Sequence, residues 1–237
     1  MNIFQSIVSF FIKGGTFMVP ILVVGAIASA IAVERYVTLT RLVIANRRMW
    51  NAVEPNLTNA DFDGAREKTG KSNTAIARVL NVGLARLGAV RRMDDIEKAL
   101  RASLMEIIPH LEKRTHYLAT FANLATLLGL LGTVSGLIHA FTAVATANPA
   151  EKANLLAGSI SEAMNCTAFG LMVAVPLLFT HAFLATKTSE LISSLETGAV
   201  KFLTLVADRQ SAKAQARLEL SQAGNSDVLG VPQPAQA

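Results

Sequence analysis

The chain has 237 residues, of which 51% are hydrophobic and only 16% charged, and its mean hydropathy is +0.41. A chain this apolar cannot bury its nonpolar surface in one water-soluble core, which excludes an ordinary soluble domain and makes a bilayer the natural solvent. The formal net charge of +5 raises the question of nucleic acid, and the single cysteine, Cys166, excludes a disulfide within the chain.

The stretch NIFQSIVSFFIK puts Ile3, Phe4, Ile7, Val8, Phe10 and Phe11 on one broad face, so residues 1–15 read as an amphipathic segment lying in the membrane interface. The uncharged run TFMVPILVVGAIASAIAV, Thr16 to Val33, is closed by Glu34 and Arg35 and predicts a first span over residues 16–45. The triplet Ala28–Ala30 resembles a signal-peptide cleavage site. The segment before it offers only Lys13 and the apolar run is too long, so it reads as a retained span. Residues 46–115 form a polar, helical loop. Within it Thr58–Gly70 is expected to be a helix capped by Thr58 or Asn59. Ser72–Gly88 repeats apolar residues at Ile76, Val79, Leu80, Leu84 and Leu87. A third helix starts at Asp94 or Asp95 and heads for the next span, with Pro109 as a kink or break. A second span is expected over 116–147, a short turn over 148–153 and a third span over 154–186. Each is long enough for roughly 30 Å of hydrocarbon at 1.5 Å per residue. An amphipathic cytoplasmic helix is expected at 187–211, and the Ala-, Gln-, Ser- and Pro-containing residues 212–237 read as a disordered tail.

The fold class is therefore all-α, an integral membrane protein with three transmembrane helices that extend into the cytoplasm. Basic residues concentrate between the first two spans, from Arg41 through Arg91 and Arg92 to Arg114, whereas the turn between the last two carries only Lys152 against Glu151. The positive-inside rule then places the long loop in the cytoplasm, with the N-terminus outside and the C-terminus inside. This also answers the nucleic-acid question. The basic excess follows topology, and Asp61, Asp63, Glu67, Asp94, Asp95 and Glu97 are interspersed with it.

The sequence LLGLLGTVSGLIHAF, Leu127 to Phe141, carries many residues that weaken a helix. On a helical wheel Gly129, Gly132, Thr133, Gly136 and His139 fall with several alanines on one side, and Leu124, Leu127, Leu130, Leu131, Ile138 and Phe141 on the other. The third span repeats the division: Ser159, Glu162, Ala163, Cys166, Thr167 and Gly170 share an arc opposite Met164, Met172, Val175 and Phe179. Close helix packing accounts for the glycines and alanines. Two small arcs within one chain can face each other or the axis of an oligomer. Glu162 needs more, since a carboxyl in a span requires protein, water or a partner charge, and no span supplies a Lys or Arg. It borders a water-filled lumen, stays protonated by burial, or snorkels to the nearby outer interface. Thr133 and Thr167 either bond back to their own helices or offer hydroxyls to a proton carrier or a partner's carboxyl.

GLLGTVSGLIHAF followed by GSISEAMNCTAFGLMVAVPLLF resembles the two signature spans of the MotA/TolQ/ExbB proton-channel family, and the three-span layout resembles its ExbB/TolQ branch. The resemblance implies a ring of five copies around two single-span helices of an ExbD- or TolR-type partner in the bacterial inner membrane. It implies that proton motive force acts through an aspartate on that partner, with a TonB- or TolA-type protein downstream. By motif, Thr133 and Thr167 would lie near the partner aspartate, Glu162 would line the lumen, and Pro176 would shape the inner end of the third span. Gly129, Gly132, Gly136, Ser159 and Gly170 would serve the pore or helix packing. Ser135 stands where many family members carry a large aromatic, and Cys166 where alanine is common. These departures leave the downstream machine open among TonB energising, Tol–Pal work and a gliding-type motor.

No metal-ligand spacing, phosphate-binding loop or nucleophile elbow occurs, and the four histidines are scattered, so no enzyme activity, cofactor or metal is expected. The competing class is a non-conducting membrane scaffold that packs partner helices. A self-contained carrier has less support, since there is no inverted repeat and no second charged intramembrane site.

Overall fold

A computed structural model of the protein describes residues 15–87 and 93–228. Its regular elements there are six helices: α1 (Met18–Thr58), α2 (Phe62–Gly70), α3 (Ala75–Arg86), α4 (Met93–Glu112), α5 (Thr115–Thr146) and α6 (Lys152–Val228). Among the described residues three stretches are long and apolar enough to cross a membrane: α1, the run Met93–Thr146 and the portion of α6 as far as Ala212. The molecule divides into two compact units. Of the described residues, one unit joins those up to Arg41 with His110–Glu190; the other joins those of Leu42–Pro109 with those from Leu191.

The first unit contains the apolar part of α1, all of α5 and the first half of α6. Its α4–α5 break falls at Lys113–Arg114, four residues beyond the expected Pro109, because Arg114 adopts a left-handed backbone with φ of 69°. The break is held from α1. The buried Arg35 guanidinium donates through Nε to Thr115 Oγ1 at 3.1 Å and through a second nitrogen to the Leu111 carbonyl. Glu34 accepts an ion pair from Arg114 at 2.5 Å. Leu111 is among the last residues of α4, whose carbonyls have no intrahelical donor, so Arg35 satisfies an acceptor that the break would otherwise orphan.

The second unit packs apolar side chains. Leu80, Ile96, Leu100, Leu195 and Phe202 are almost fully buried. The periodicity expected around Ile76, Val79, Leu80 and Leu84 forms α3, whose inner face carries those residues. Asn46, itself buried, accepts from the Ile76 N–H at 3.1 Å and so satisfies a donor of the first turn of α3. The cap of α2 lies later than expected: Asp61, not Thr58 or Asn59, accepts from Gly64 N–H at 3.0 Å, because α1 runs on through Thr58. Lys68 ties α2 to α1 through the Ala52 carbonyl at 3.0 Å and Asn56 at 2.7 Å.

The expected tail differs over part of its length. Residues 212–228 continue α6 as helix. Ala, Gln, Arg, Leu and Glu there are good helix formers, so local preference favours continuing the helix. All but the last residue of the expected amphipathic segment at 1–15, and residues 229–237, lie outside the described residues.

Candidate functional site

The two small-residue arcs face one another inside the first unit. Gly129 on α5 meets Gly170 on α6 backbone to backbone: a Cβ on Gly129 would lie 3.3 Å from the Gly170 Cα, and one on Gly170 would lie 2.7 Å from the Ala125 carbonyl oxygen. The same seam continues along both helices. A Cβ on Gly132 would fall on the Cys166 sulfur, and one on Gly136 would lie 2.8 Å from the Ala163 Cβ. Lipid gives helices no hydrophobic reason to associate, so close backbone approach of this kind is what binds them.

The close approach brings Thr133 and Thr167 together. Their hydroxyl oxygens are 2.6 Å apart. Thr133 Oγ1 lies 3.1 Å and Thr167 Oγ1 2.8 Å from the same acceptor, the Gly129 carbonyl. Three contacts thus share two hydroxyl protons. One threonine donates to the other, and that one donates to Gly129; turning both hydroxyls reverses the order. In either order the triangle has no proton to spare and keeps unused lone pairs, so at rest it accepts a hydrogen bond. Turning one hydroxyl outward makes it a donor, while the other still satisfies Gly129. Both threonines are part-buried, so the pair is reachable from outside the seam.

Glu162 lies further along the same face of α6, in a cavity of about 340 Å³ lined by Gly15, Thr16, Phe17, Gly132, Ser135, Gly136, His139, Ser159, Glu162 and Cys166. Its carboxylate rests against Gly15, which has φ of +77° and which a Cβ would force onto the Glu162 oxygen, so this left-handed turn needs glycine. Ser159 borders the same cavity, and among the described residues no Lys or Arg lines it. Pro176 does not join the cavity. It lines a separate groove along α1, and its carbonyl accepts from Thr180 at 2.8 Å. The structure therefore brings Gly129, Thr133, Thr167 and Gly170 into one cluster, and Gly132, Gly136, Ser159 and Glu162 around an adjoining cavity.

Two features escaped the sequence. The wall of the cavity formed by Gly15–Phe17 comes from the chain's far end, and no local signal announces it. Arg35 read as the polar close of the first span, whereas it is 5% exposed and bonded to the α4–α5 break. The one available signal was an arginine following an apolar run directly, with no polar spacing other than Glu34.

A helical membrane protein with three spans and a paired-hydroxyl seam between two of them is the class that these features define. A profile of the MotA/TolQ/ExbB proton channel family matches residues 71–197. The chain is 30% identical over 173 residues to the "Putative biopolymer transport protein ExbB-like 3" of Synechocystis sp., covering 72% of this chain and 81% of that one. It is 31% identical over 117 residues to the "Tol-Pal system protein TolQ" of Haemophilus influenzae, covering 49% of this chain and 51% of that one. It is 32% identical over 109 residues to the "Biopolymer transport protein ExbB" of Xanthomonas campestris pv. campestris, covering 46% of this chain and 43% of that one. The match thus spans about half the length of the latter two relatives. The chain belongs to the MotA/TolQ/ExbB proton channel family, in its ExbB/TolQ branch.

Proposed function

We propose that the protein is the ring-forming subunit of an inner-membrane motor that uses proton motive force to energise an envelope process, acting with a single-span partner of ExbD or TolR type. The observation that carries this reading is the Thr133–Thr167–Gly129 triangle. Two hydroxyls in contact at 2.6 Å, sharing one backbone acceptor, can take a hydrogen bond from a protonated carboxyl and, after one rotation, give one to a carboxylate. A partner aspartate that loads and releases a proton needs both answers from its surroundings. Glu162 adds a carboxyl on the same face of α6, in a cavity that no Lys or Arg lines among the described residues, and the cavity's hydroxyls and His139 make it hospitable to water. The N-terminus outside, the C-terminus inside and a pentameric ring belong to the same proposal.

The test is native mass spectrometry of the tagged chain from its own host, joined to proton-flux assays of Thr167→Val and Glu162→Ala. A five-to-two complex with a single-span protein bearing an intramembrane aspartate, and variants that assemble but lose flux, are expected. The second reading, a scaffold that moves no ions, draws on the backbone contact of Gly129 with Gly170, which by itself serves packing. Full function in the double variant Thr133→Ala/Thr167→Ala, or a partner with no intramembrane acid, would favour it.

A further inference from the structure

The first unit holds a second cavity that shares no lining residue with the one at Glu162. It is a groove of about 680 Å³ along α1 and α6, a volume typical of sites for small molecules. Its walls include Leu22, Val33, Met172 and Leu177, and Ser29 and Thr180 bring hydroxyls. Its floor is a helix contact, since a Cβ on Gly25 would lie 2.9 Å from Val173 Cγ1. From Leu22 to Tyr36 the groove runs roughly 21 Å along α1 at 1.5 Å per residue, more than half of a hydrocarbon core of about 30 Å.

The Tyr36 end has a different chemistry. The Tyr36 ring stacks on Phe183 with centroids 6.3 Å apart. Lys187 Nζ sits 4.8 Å from the Tyr36 centroid and 5.2 Å from that of Phe183. No carboxylate pairs with Lys187 among the described residues. An apolar trough of that length, ending in two aromatic rings and an unpaired cation, matches a molecule with a hydrocarbon chain and an anionic head. Aromatic and basic side chains at the end of an apolar span are the usual contacts of lipid head groups.

We propose that this groove is a binding site for one anionic glycerophospholipid, with an acyl chain between α1 and α6 and its phosphate at Lys187. The charge complementarity at the Tyr36 end selects a lipid over an apolar helix from a second copy, which would bring nothing for the lysine. The site is independent of the proton pathway proposed above.

The test uses the full chain, extracted with its partners and exchanged into an equimolar mixture of phosphatidylglycerol and phosphatidylethanolamine, then read by native mass spectrometry. Wild type is expected to retain one lipid per chain, enriched for the anionic species about fivefold, the preference that one cation near a charged surface confers. Lys187→Gln should keep the lipid and lose the enrichment, and Lys187→Arg should restore it. Ala26→Trp, whose new side chain fills the groove, should release the lipid from an otherwise intact assembly. A photo-crosslinking residue at Val33 should label lipid. Retention without enrichment, enrichment unchanged by Lys187→Gln, lipid retained by an assembled Ala26→Trp, or crosslinks from Val33 to a second copy of the chain would each overturn the proposal.

Discussion

The two units are built from different materials. The unit from Leu42 to Pro109 and beyond Leu191 buries large apolar side chains, Leu80, Leu100, Leu195 and Phe202 among them. The unit with the spans buries glycine, alanine and hydroxyl groups at its α5–α6 seam, and turns Leu127, Phe141, Met164, Met172 and Phe179 outward, all more than 60% exposed. In water such a surface would be ruinous. Against lipid tails it costs nothing, and burying it would gain nothing. The seam can therefore be assembled from residues chosen for what they do, with tight backbone contact providing the cohesion. The hydroxyl pair can sit at the seam because the surrounding solvent is lipid.

This contrast can be broken, beginning with the largest effect. Phe202→Ala removes a fully buried ring from the apolar core of the second unit, and thermal unfolding in detergent should register a loss of about 3–5 kcal/mol. A loss below about 1 kcal/mol would mean that this unit does not depend on large apolar groups. Gly170→Val drives a side chain into the Ala125 carbonyl. A cost of about 1–3 kcal/mol is expected, together with loss of engineered cysteine crosslinking between α5 and α6. Unchanged crosslinking would show that the close approach is dispensable. Thr167→Val keeps the shape and deletes a hydroxyl proton from the triangle. Stability should fall by only about 1 kcal/mol while proton flux is lost; parallel loss of both would assign the threonine to packing.

The smallest effect belongs to the surface. Glu67, fully exposed, has its carboxyl held below the usual range by the hydrogen bond and charge of Lys71. A depressed folded-state value contributes stability above the unfolded-state value and loses it as pH falls through the folded one. Solvent screening leaves little to lose. Glu67→Gln should leave the acid unfolding midpoint where it is, and a clear shift would show that this exposed pair matters more than the buried seam suggests.

The spans were legible because long uncharged runs have few alternatives, and the small arcs because glycine and threonine at helical spacing stand out against leucine. That the arcs meet each other was not legible: a wheel gives a face and not its neighbour. The contact of Glu162 with Gly15 joins residues distant in sequence, and the left-handed Gly15 carries no distinguishing local pattern. The position of the α4–α5 break was misplaced for a similar reason. Proline at 109 is tolerated within α4, while the true stop is a left-handed Arg114 stabilised from another helix.

Arg35 finds Thr115 across 80 residues of chain. A ribosome adding about 5–20 residues per second takes roughly 4–16 s to cover that distance. During that interval the first span is in the bilayer and the arginine has no mate, so its head must linger at the water boundary. Only when the second span emerges can it withdraw. Membrane insertion of this protein therefore has a built-in sequence of events, with the burial of one guanidinium waiting on the arrival of the second span.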